Sequence, residues 1–127
     1  MSHYFTLAEA NAALQIIKPL MEKVQAIRQN ILAQKPEVWP VVEKAAGNGG
    51  SKAASLLAME FEQLDQCVHQ IQATGAVLKD INLGLLDFSA WREDHEVYLC
   101  WKYGEQNIEY WHEIEAGFAG RRSIETF

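Results

Sequence analysis

The hydrophobic period of this chain changes at Gly75. Before Gly75, apolar residues recur at alternating spacings of three and four, which is typical of amphipathic helices. After it, apolar residues alternate with polar ones or form short runs, which is typical of strands. The change predicts an α+β fold: a long antiparallel helical hairpin followed by a small antiparallel β-sheet and an irregular C-terminal tail. With 127 residues, of which 49% are hydrophobic, the chain fits a single domain over 1–127.

Helix 1 is predicted over residues 6–35. Thr6 and Glu9 mark its start as a T-x-x-E capping box, in which each side chain accepts a hydrogen bond from a backbone N–H near the helix start. Pro19 lies inside the pattern and predicts a kink or a brief break, and Pro36 predicts the end of the helix. The apolar seam of this helix consists of Leu7, Ala10, Leu14, Ile17, Met21, Val24 and Ile31.

A connector is predicted over 36–51, with a short helix near 41–46 and a flexible glycine-rich loop over 47–51. Helix 2 is predicted over 52–74, and Gly75 is well placed as its C-terminal cap. Its apolar seam consists of Leu57, Phe61, Leu64, Val68 and Ile71.

The β segment and tail occupy residues 76–127. Strands are predicted at 77–83, 85–88, 96–102 and 107–114, and the clearest of them is E-V-Y-L-C-W-K at 96–102. Residues 89–95 look like a polar turn or one helical turn. The tail over 115–127 contains two glycines and is predicted to be irregular.

The charge of the chain argues against nucleic acid as a partner. The formal net charge is −6, and the segment after Gly75 holds ten acidic and five basic residues. Such a surface repels phosphate backbones, and the pair Arg121 and Arg122 is the one basic exception. Cys67 and Cys100 form no C-x-x-C motif, which suits a reducing cytoplasm. We find no signal-peptide pattern and no apolar run near the ~20 residues that span a bilayer, so we expect a cytoplasmic protein without a membrane partner.

One hypothesis for a site is a metal centre. His112, Cys100 and Asp87 carry donor groups that zinc accepts, but they converge only in a favourable strand register. No spacing along the chain matches a known metal signature. The simpler interpretation is that Cys100 is a buried strand residue and His112 a hydrogen-bonded one, so the sequence predicts no bound metal and leaves these three as weak candidates.

Two other hypotheses concern the tail. Arg121 and Arg122 follow two glycines and could bind an anion, or they could simply pair with the surrounding acids. We expect one arginine to hold the tail by pairing with Asp87, Glu113 or Glu115 and the other to remain available. A catalytic hypothesis uses Glu113 or Glu115 as a general base beside His112, but no Ser or Cys has the context of an activated nucleophile.

Aromatic residues crowd the segment after Gly75. Most are expected in a thin core, with one or two tryptophans exposed, although Trp101 could also belong to a partner-binding surface. The apolar width of the two helices exceeds one seam, and pairing two hairpins into a four-helix bundle would bury the excess. This predicts a homodimer through the helical hairpin.

Four sequence words together resemble a known family. They are Y-F-T-L-A-E-A-N at 4–11, G-L-L-D-F at 84–88, V-Y-L-C-W-K-Y-G-E at 97–105 and Y-W-H-E-I-E-A-G-F-A-G-R-R at 110–122. The chain resembles the uncharacterised, largely bacterial family called domain of unknown function 2203 over essentially its whole length. The resemblance implies no activity, cofactor or substrate.

The leading hypothesis for function is therefore a non-enzymatic cytoplasmic binding or assembly module that self-associates through its helices, with no cofactor. Its partner would be an unknown protein or a small anionic ligand. The alternative is a small-ligand- or anion-binding protein, or an enzyme, with a site around His112, Glu113, Arg121 and Arg122.

Overall fold

The first helix begins at the predicted capping box. The computed structural model describes residues 3–47 and 58–127, and α1 spans Leu7–Gln34. Thr6 donates its backbone N–H to Glu9 Oε1 at 2.8 Å, and the Glu9 N–H donates to Thr6 Oγ1 at 3.1 Å. The helix continues without interruption through Pro19, so the brief break expected there is wrong. A proline removes a single backbone donor, and the buried neighbours Ile17 and Met21 hold the helix on either side.

Two short elements and a second long helix follow α1. A 3₁₀ turn spans Pro36–Val38, α2 spans Trp39–Ala45 and α3 spans Ala58–Ala73. Most of the predicted glycine-rich loop and the predicted start of helix 2 lie outside the described residues. Gly75 follows α3 with φ 100°, a conformation that side chains disfavour, which confirms its predicted role at the helix end.

The sheet is an antiparallel meander of five strands in the order β1-β2-β3-β4-β5, each strand pairing with the next along the chain. Its strands are β1 Val77–Asp80, β2 Leu85–Arg92, β3 His95–Lys102, β4 Tyr110–Glu113 and β5 Arg122–Ser123. The α+β prediction is confirmed, and β5 shows that the irregular tail still adds two residues to the edge of the sheet.

The polar turn predicted over residues 89–95 is wrong. These residues belong to a hairpin in which β2 continues to Arg92 and pairs with β3 along its whole length. Only Glu93 and Asp94 form the turn, and Glu93 adopts a positive φ of 59°. Two-residue hairpin turns are usually recognised by Gly or Asn at such positions. Because neither is present, the sequence concealed the turn.

The helices cover one face of the sheet, which we call the inner face. A single cluster of buried side chains joins α1, α3 and the inner face of β2, β3 and β4. The sheet contributes Leu86, Phe88, Ala90, Val97, Leu99, Trp101 and Trp111 to it. Of the aromatic residues after Gly75, only Phe88, Trp101 and Trp111 are buried, so the expectation that most of them lie in the core is wrong. The expected exposed tryptophan is Trp91. Within the two described ranges, no helix combines the length and apolar character that crossing a bilayer requires.

Candidate functional site

The opposite, outer face of the sheet carries polar side chains at the alternate strand positions. Asp87 of β2 lies opposite Cys100 of β3, and Tyr98 of β3 lies opposite His112 of β4. Because side chains alternate across a strand, all four project from the outer face. The strand register therefore brings together residues that are up to 25 positions apart in the chain.

Asp87 and His112 meet over the middle strand. His112 Nε2 lies 3.0 Å from Asp87 Oδ1, and His112 Nδ1 lies 2.8 Å from the backbone carbonyl oxygen of Glu113. A carbonyl oxygen only accepts, so Nδ1 is the donor in that contact. The donor atoms of Asp87, Cys100 and His112 all lie within 4.8 Å of one another.

All three side chains are buried, although the face lies outside the main core. Asp87 is 3% exposed and His112 is 2% exposed. Cys100 is buried too, but neither it nor the polar pair belongs to the core cluster. Burying an acid and an imidazole is costly unless they are paired, and apolar side chains would fill the same space at lower cost. Polar groups that are buried despite this cost in free energy are typical of functional sites.

Hydrogen bonds determine the protonation of His112. Burial alone lowers the pKa of an imidazole, but at His112 the hydrogen bonds to Asp87 and to the Glu113 carbonyl outweigh burial and raise the pKa above its ordinary value. In the protonated form of His112, Nε2 donates to the Asp87 carboxylate in a charge-assisted hydrogen bond.

The environment of Cys100 favours the protonated thiol over the thiolate. Burial, and then the nearby carboxylate of Asp87, raise the pKa of Cys100 to about 12. At neutral pH the group is a neutral thiol, and it is the thiolate that attacks substrates. The surroundings of Cys100 therefore disfavour the thiolate that a nucleophilic cysteine needs.

The C-terminal tail covers this face of the sheet. After β4, a turn leads into a 3₁₀ helix over Phe118–Gly120, and Arg121 follows it. A Cβ on Gly120 would lie 2.4 Å from the Cβ of Ala116, so this turn accommodates only glycine without rearrangement. The Arg121 guanidinium then lies over the ring of Tyr110, 4.1 Å from its centre.

Arg121 is the arginine that holds the tail. Its Nη2 donates to Glu105 Oε1 at 2.7 Å and lies 3.4 Å from the backbone oxygen of Cys100. We expected this arginine to pair with Glu113, Glu115 or Asp87, and that expectation is wrong. Glu105 lies in the β3–β4 turn, where its Oε1 also accepts from the backbone N–H of Lys102 and is already positioned for the arginine.

A small pocket lies between the tail and the sheet. Its volume is about 170 Å³, and we call it the tail pocket. It is smaller than the pockets of about 300–1,000 Å³ that hold drug-sized ligands. The residues that matter for its chemistry are Lys79, Asp87, Tyr98, His112, Ile114 and Phe118. Lys79 Nζ lies 5.0 Å from the centre of the Tyr98 ring.

The structure brings together only some of the predicted site residues. Asp87, Cys100 and His112 converge, whereas Glu113 faces the other side of β4 and its Oε1 lies 2.8 Å from His95 Nε2. Arg122 is exposed and lies over the Trp111 ring, and Trp101 is buried in the core, where its indole N–H donates to the backbone oxygen of Glu105.

The sequence analysis missed several residues of the pocket. Tyr98 was detectable, because it shares the alternation of Cys100 on the same strand. Lys79 and Phe118 gave no signal, because their positions depend on how β1 pairs and on the path of the tail.

Comparison with known proteins identifies the family of this chain but assigns it no activity. No curated protein and no solved structure matches this chain. A family model matches residues 3–124, almost the whole chain. The chain therefore belongs to the family described as uncharacterized conserved protein (DUF2203).

Proposed function

We propose that this chain is a non-enzymatic binding module that holds a small ligand in the tail pocket. The observation that carries the proposal is the pair of Asp87 and His112, which is buried on a face that the core does not use and which lines the pocket. Of the residues in the site predicted from sequence, the pocket contains only His112. In place of Glu113 and the two arginines, the pocket presents Asp87 and Tyr98.

The size and composition of the pocket suit a small polar ligand. At a liquid volume of about 30 Å³ per water, 170 Å³ holds roughly half a dozen water-sized groups. Asp87, His112 and the Tyr98 hydroxyl offer both donors and acceptors, while Ile114 and Phe118 form apolar walls.

The test is to block the pocket without touching the polar pair. Ile114 is 42% exposed at the pocket wall, so Ile114→Trp fills space and leaves the core unchanged. Untagged protein from its own cells, measured by native mass spectrometry, should retain a small added mass that Ile114→Trp loses. Ile16→Trp is the matched control, because Ile16 is exposed on α1, and it should retain the mass. Equal masses for all three proteins, or no added mass in the wild type, would contradict the proposal.

A second candidate function is self-association through the helices. Ile16 is 59% exposed and Met59 is 72% exposed, on two helices that pack against each other. A groove of about 430 Å³ between these helices is lined partly by Leu20, Ile27 and Cys67. A second copy of the chain laid on this surface would bury apolar area that the monomer leaves in water.

Light scattering tests this candidate. At micromolar concentration the wild type should have twice the chain mass of 14.4 kDa, and Ile16→Glu together with Met59→Glu should have the single mass. Both positions are exposed, so the variant should fold as a monomer. Trp91→Glu, at an exposed position of the sheet, is the control and should stay dimeric. A wild-type monomer would exclude this candidate.

A further inference from the structure

We propose that Asp87, Cys100 and His112 bind one divalent transition-metal cation of the zinc class, with a remaining coordination position open to the tail pocket. This inference deepens the proposed function and rests on it, because it names what the pocket presents to its small ligand. The sequence argued against a metal because of spacing along the chain. In the structure, the strand register brings the three donors together.

The donor set favours zinc and related ions. Zinc in proteins takes thiolate, imidazole and carboxylate ligands, and this site offers one of each. A sulfur donor selects against magnesium and calcium, which prefer oxygen ligands only. Three protein ligands, with a further position left for water or a small molecule, distinguish this site from the closed four-ligand sites of structural zinc.

The distances are within reach of such a site. Bonds of about 2.0–2.3 Å at tetrahedral angles place ligand atoms roughly 3.3–3.8 Å apart. The three donor atoms here are all within 4.8 Å of one another, and His112 Nε2 lies 3.0 Å from Asp87 Oδ1. That pair must open by a few tenths of an ångström, and any pair near the 4.8 Å limit must close by about 1 Å.

His112 is already oriented as a ligand. Its Nδ1 donates to the carbonyl oxygen of Glu113, so the ring direction is set and Nε2 faces the other two donors. Histidines that bind metals usually make this second hydrogen bond, which fixes the tautomer and the ring orientation. The tail supports the cysteine in a similar way, since Arg121 lies within hydrogen-bond distance of the Cys100 carbonyl oxygen.

The charges balance when the metal binds. On binding, the S–H bond of Cys100 breaks, its proton leaves to solvent and an S–metal bond forms; Nε2 likewise gives up any proton that it holds. The thiolate and the Asp87 carboxylate then neutralise the two charges of the cation, and the imidazole is neutral. The nearby cations of Lys79 and Arg121 therefore face a neutral site, and Arg121 is already paired with Glu105.

The test uses cobalt as a spectroscopic probe for zinc. Protein stripped with a chelator receives one equivalent of Co²⁺, and thiolate coordination should produce a sulfur-to-cobalt charge-transfer band. The Cys67→Ser variant should keep this band, because Cys67 lies in α3 and Cys100 is then the sole thiol. This assignment needs no substitution at the site itself, so it holds even if the site variants fold poorly.

Zinc titration measures the contribution of each ligand. Cys100→Ser and His112→Gln should each weaken zinc affinity about a hundredfold or more, since even the loss of a supporting contact costs 10–100-fold. Cys67→Ser and His95→Gln are the matched controls and should bind like the wild type. No charge-transfer band in the Cys67→Ser protein, or unchanged zinc affinity in Cys100→Ser and His112→Gln, would overturn the inference.

The cobalt experiment and the mass-spectrometry experiment can fail independently of each other. A retained small ligand that Ile114→Trp loses, together with no cobalt band, would overturn the metal and leave the pocket proposal standing. A cobalt band in both the wild type and Ile114→Trp, with no other ligand retained by either, would support the metal and overturn the pocket.

Discussion

The two faces of the sheet are built from the same three strands but differ in nearly every property. The inner face carries apolar side chains such as Phe88, Leu99 and Trp111, packed beneath α1 and α3. The outer face carries Asp87 and His112, buried by a glycine-containing tail rather than by a helix. Both faces contain buried side chains, but only on the inner face are these mostly apolar, so that their burial stabilises the fold.

This difference supports the proposal that the outer face holds a site while the inner face provides stability. A face that merely needed covering would be most stable with apolar residues, as the inner face is. The outer face instead holds an acid, an imidazole and a thiol next to a pocket, each at a cost that the fold does not require. Substitutions on the two faces should therefore have different consequences for stability and for ligand binding.

The largest loss of stability is expected on the inner face. Phe88→Ala should lower the free energy of unfolding by about 3–5 kcal/mol, because the ring is fully buried and packs edge-on against Phe5. Urea denaturation measures this. Trp91→Ala on the same strand is the control and should cost less than about 1 kcal/mol, because Trp91 is 52% exposed. Similar losses for the two variants would show that the inner face is not the main source of stability.

On the outer face, removing one partner should differ from removing both. Asp87→Ala leaves His112 buried without its acid, and we expect a loss of about 3 kcal/mol. The double variant Asp87→Leu, His112→Leu should recover most of that loss, because apolar residues of similar volume often replace a buried pair at little cost. Denaturant unfolding measures stability, and zinc titration should show no specific binding in either variant. A double variant less stable than Asp87→Ala would mean that the pair serves stability.

The inner face was predictable from sequence and the outer face largely was not. The Thr6–Glu9 capping box and the period of α1 are local signals, and both were confirmed. The contact of Asp87 with His112 depends on the register of three strands and on a turn at Glu93 that lacks glycine. A local pattern carries no information about strand register. The sequence therefore identified the donor residues but did not predict that they lie next to one another.

Two neighbouring arginines in the tail, Arg121 and Arg122, should differ in their contribution to stability. Arg121→Ala should destabilise the protein by about 2 kcal/mol, because its bond to Glu105 is charge-assisted and mostly buried. Arg122→Ala should change stability by no more than about 0.5 kcal/mol, since Arg122 is exposed. Thermal melts of both variants test this. If the Arg122 variant melts lower than the Arg121 variant, the tail is held differently from the contacts described here.

The same division between sequence and structure applies to this pair. Two adjacent arginines after glycines predicted that one would hold the tail and one would remain available. The choice of Glu105 as acceptor was not predictable, because it depends on how the tail crosses the β3–β4 turn. The stacking of Arg121 on Tyr110 has the same origin.

The smallest effect is expected from a second histidine–carboxylate pair. His112 and Glu113 are neighbours on β4, but His112 meets its acid inside the protein, whereas Glu113 meets His95 at the surface, with Oε1 2.8 Å from Nε2. The comparison of these two pairs isolates the effect of burial. In the exposed pair solvent screens the charges, so its contribution should be modest.

Stability should depend on pH through His95 with a definite sign. Hydrogen bonds to Asp94, and then to Glu113, raise the pKa of His95 above its ordinary value. The folded protein thus holds that proton more tightly than the unfolded chain, whose imidazole has a pKa of about 6.5. The stabilisation is complete below that value and is lost as the pH rises through the raised pKa of the folded state. The melting temperature of the wild type should therefore exceed that of His95→Gln by more at about pH 5.5 than at about pH 8. A difference that is constant or grows with pH would show that the surface pair contributes no charge-dependent stability.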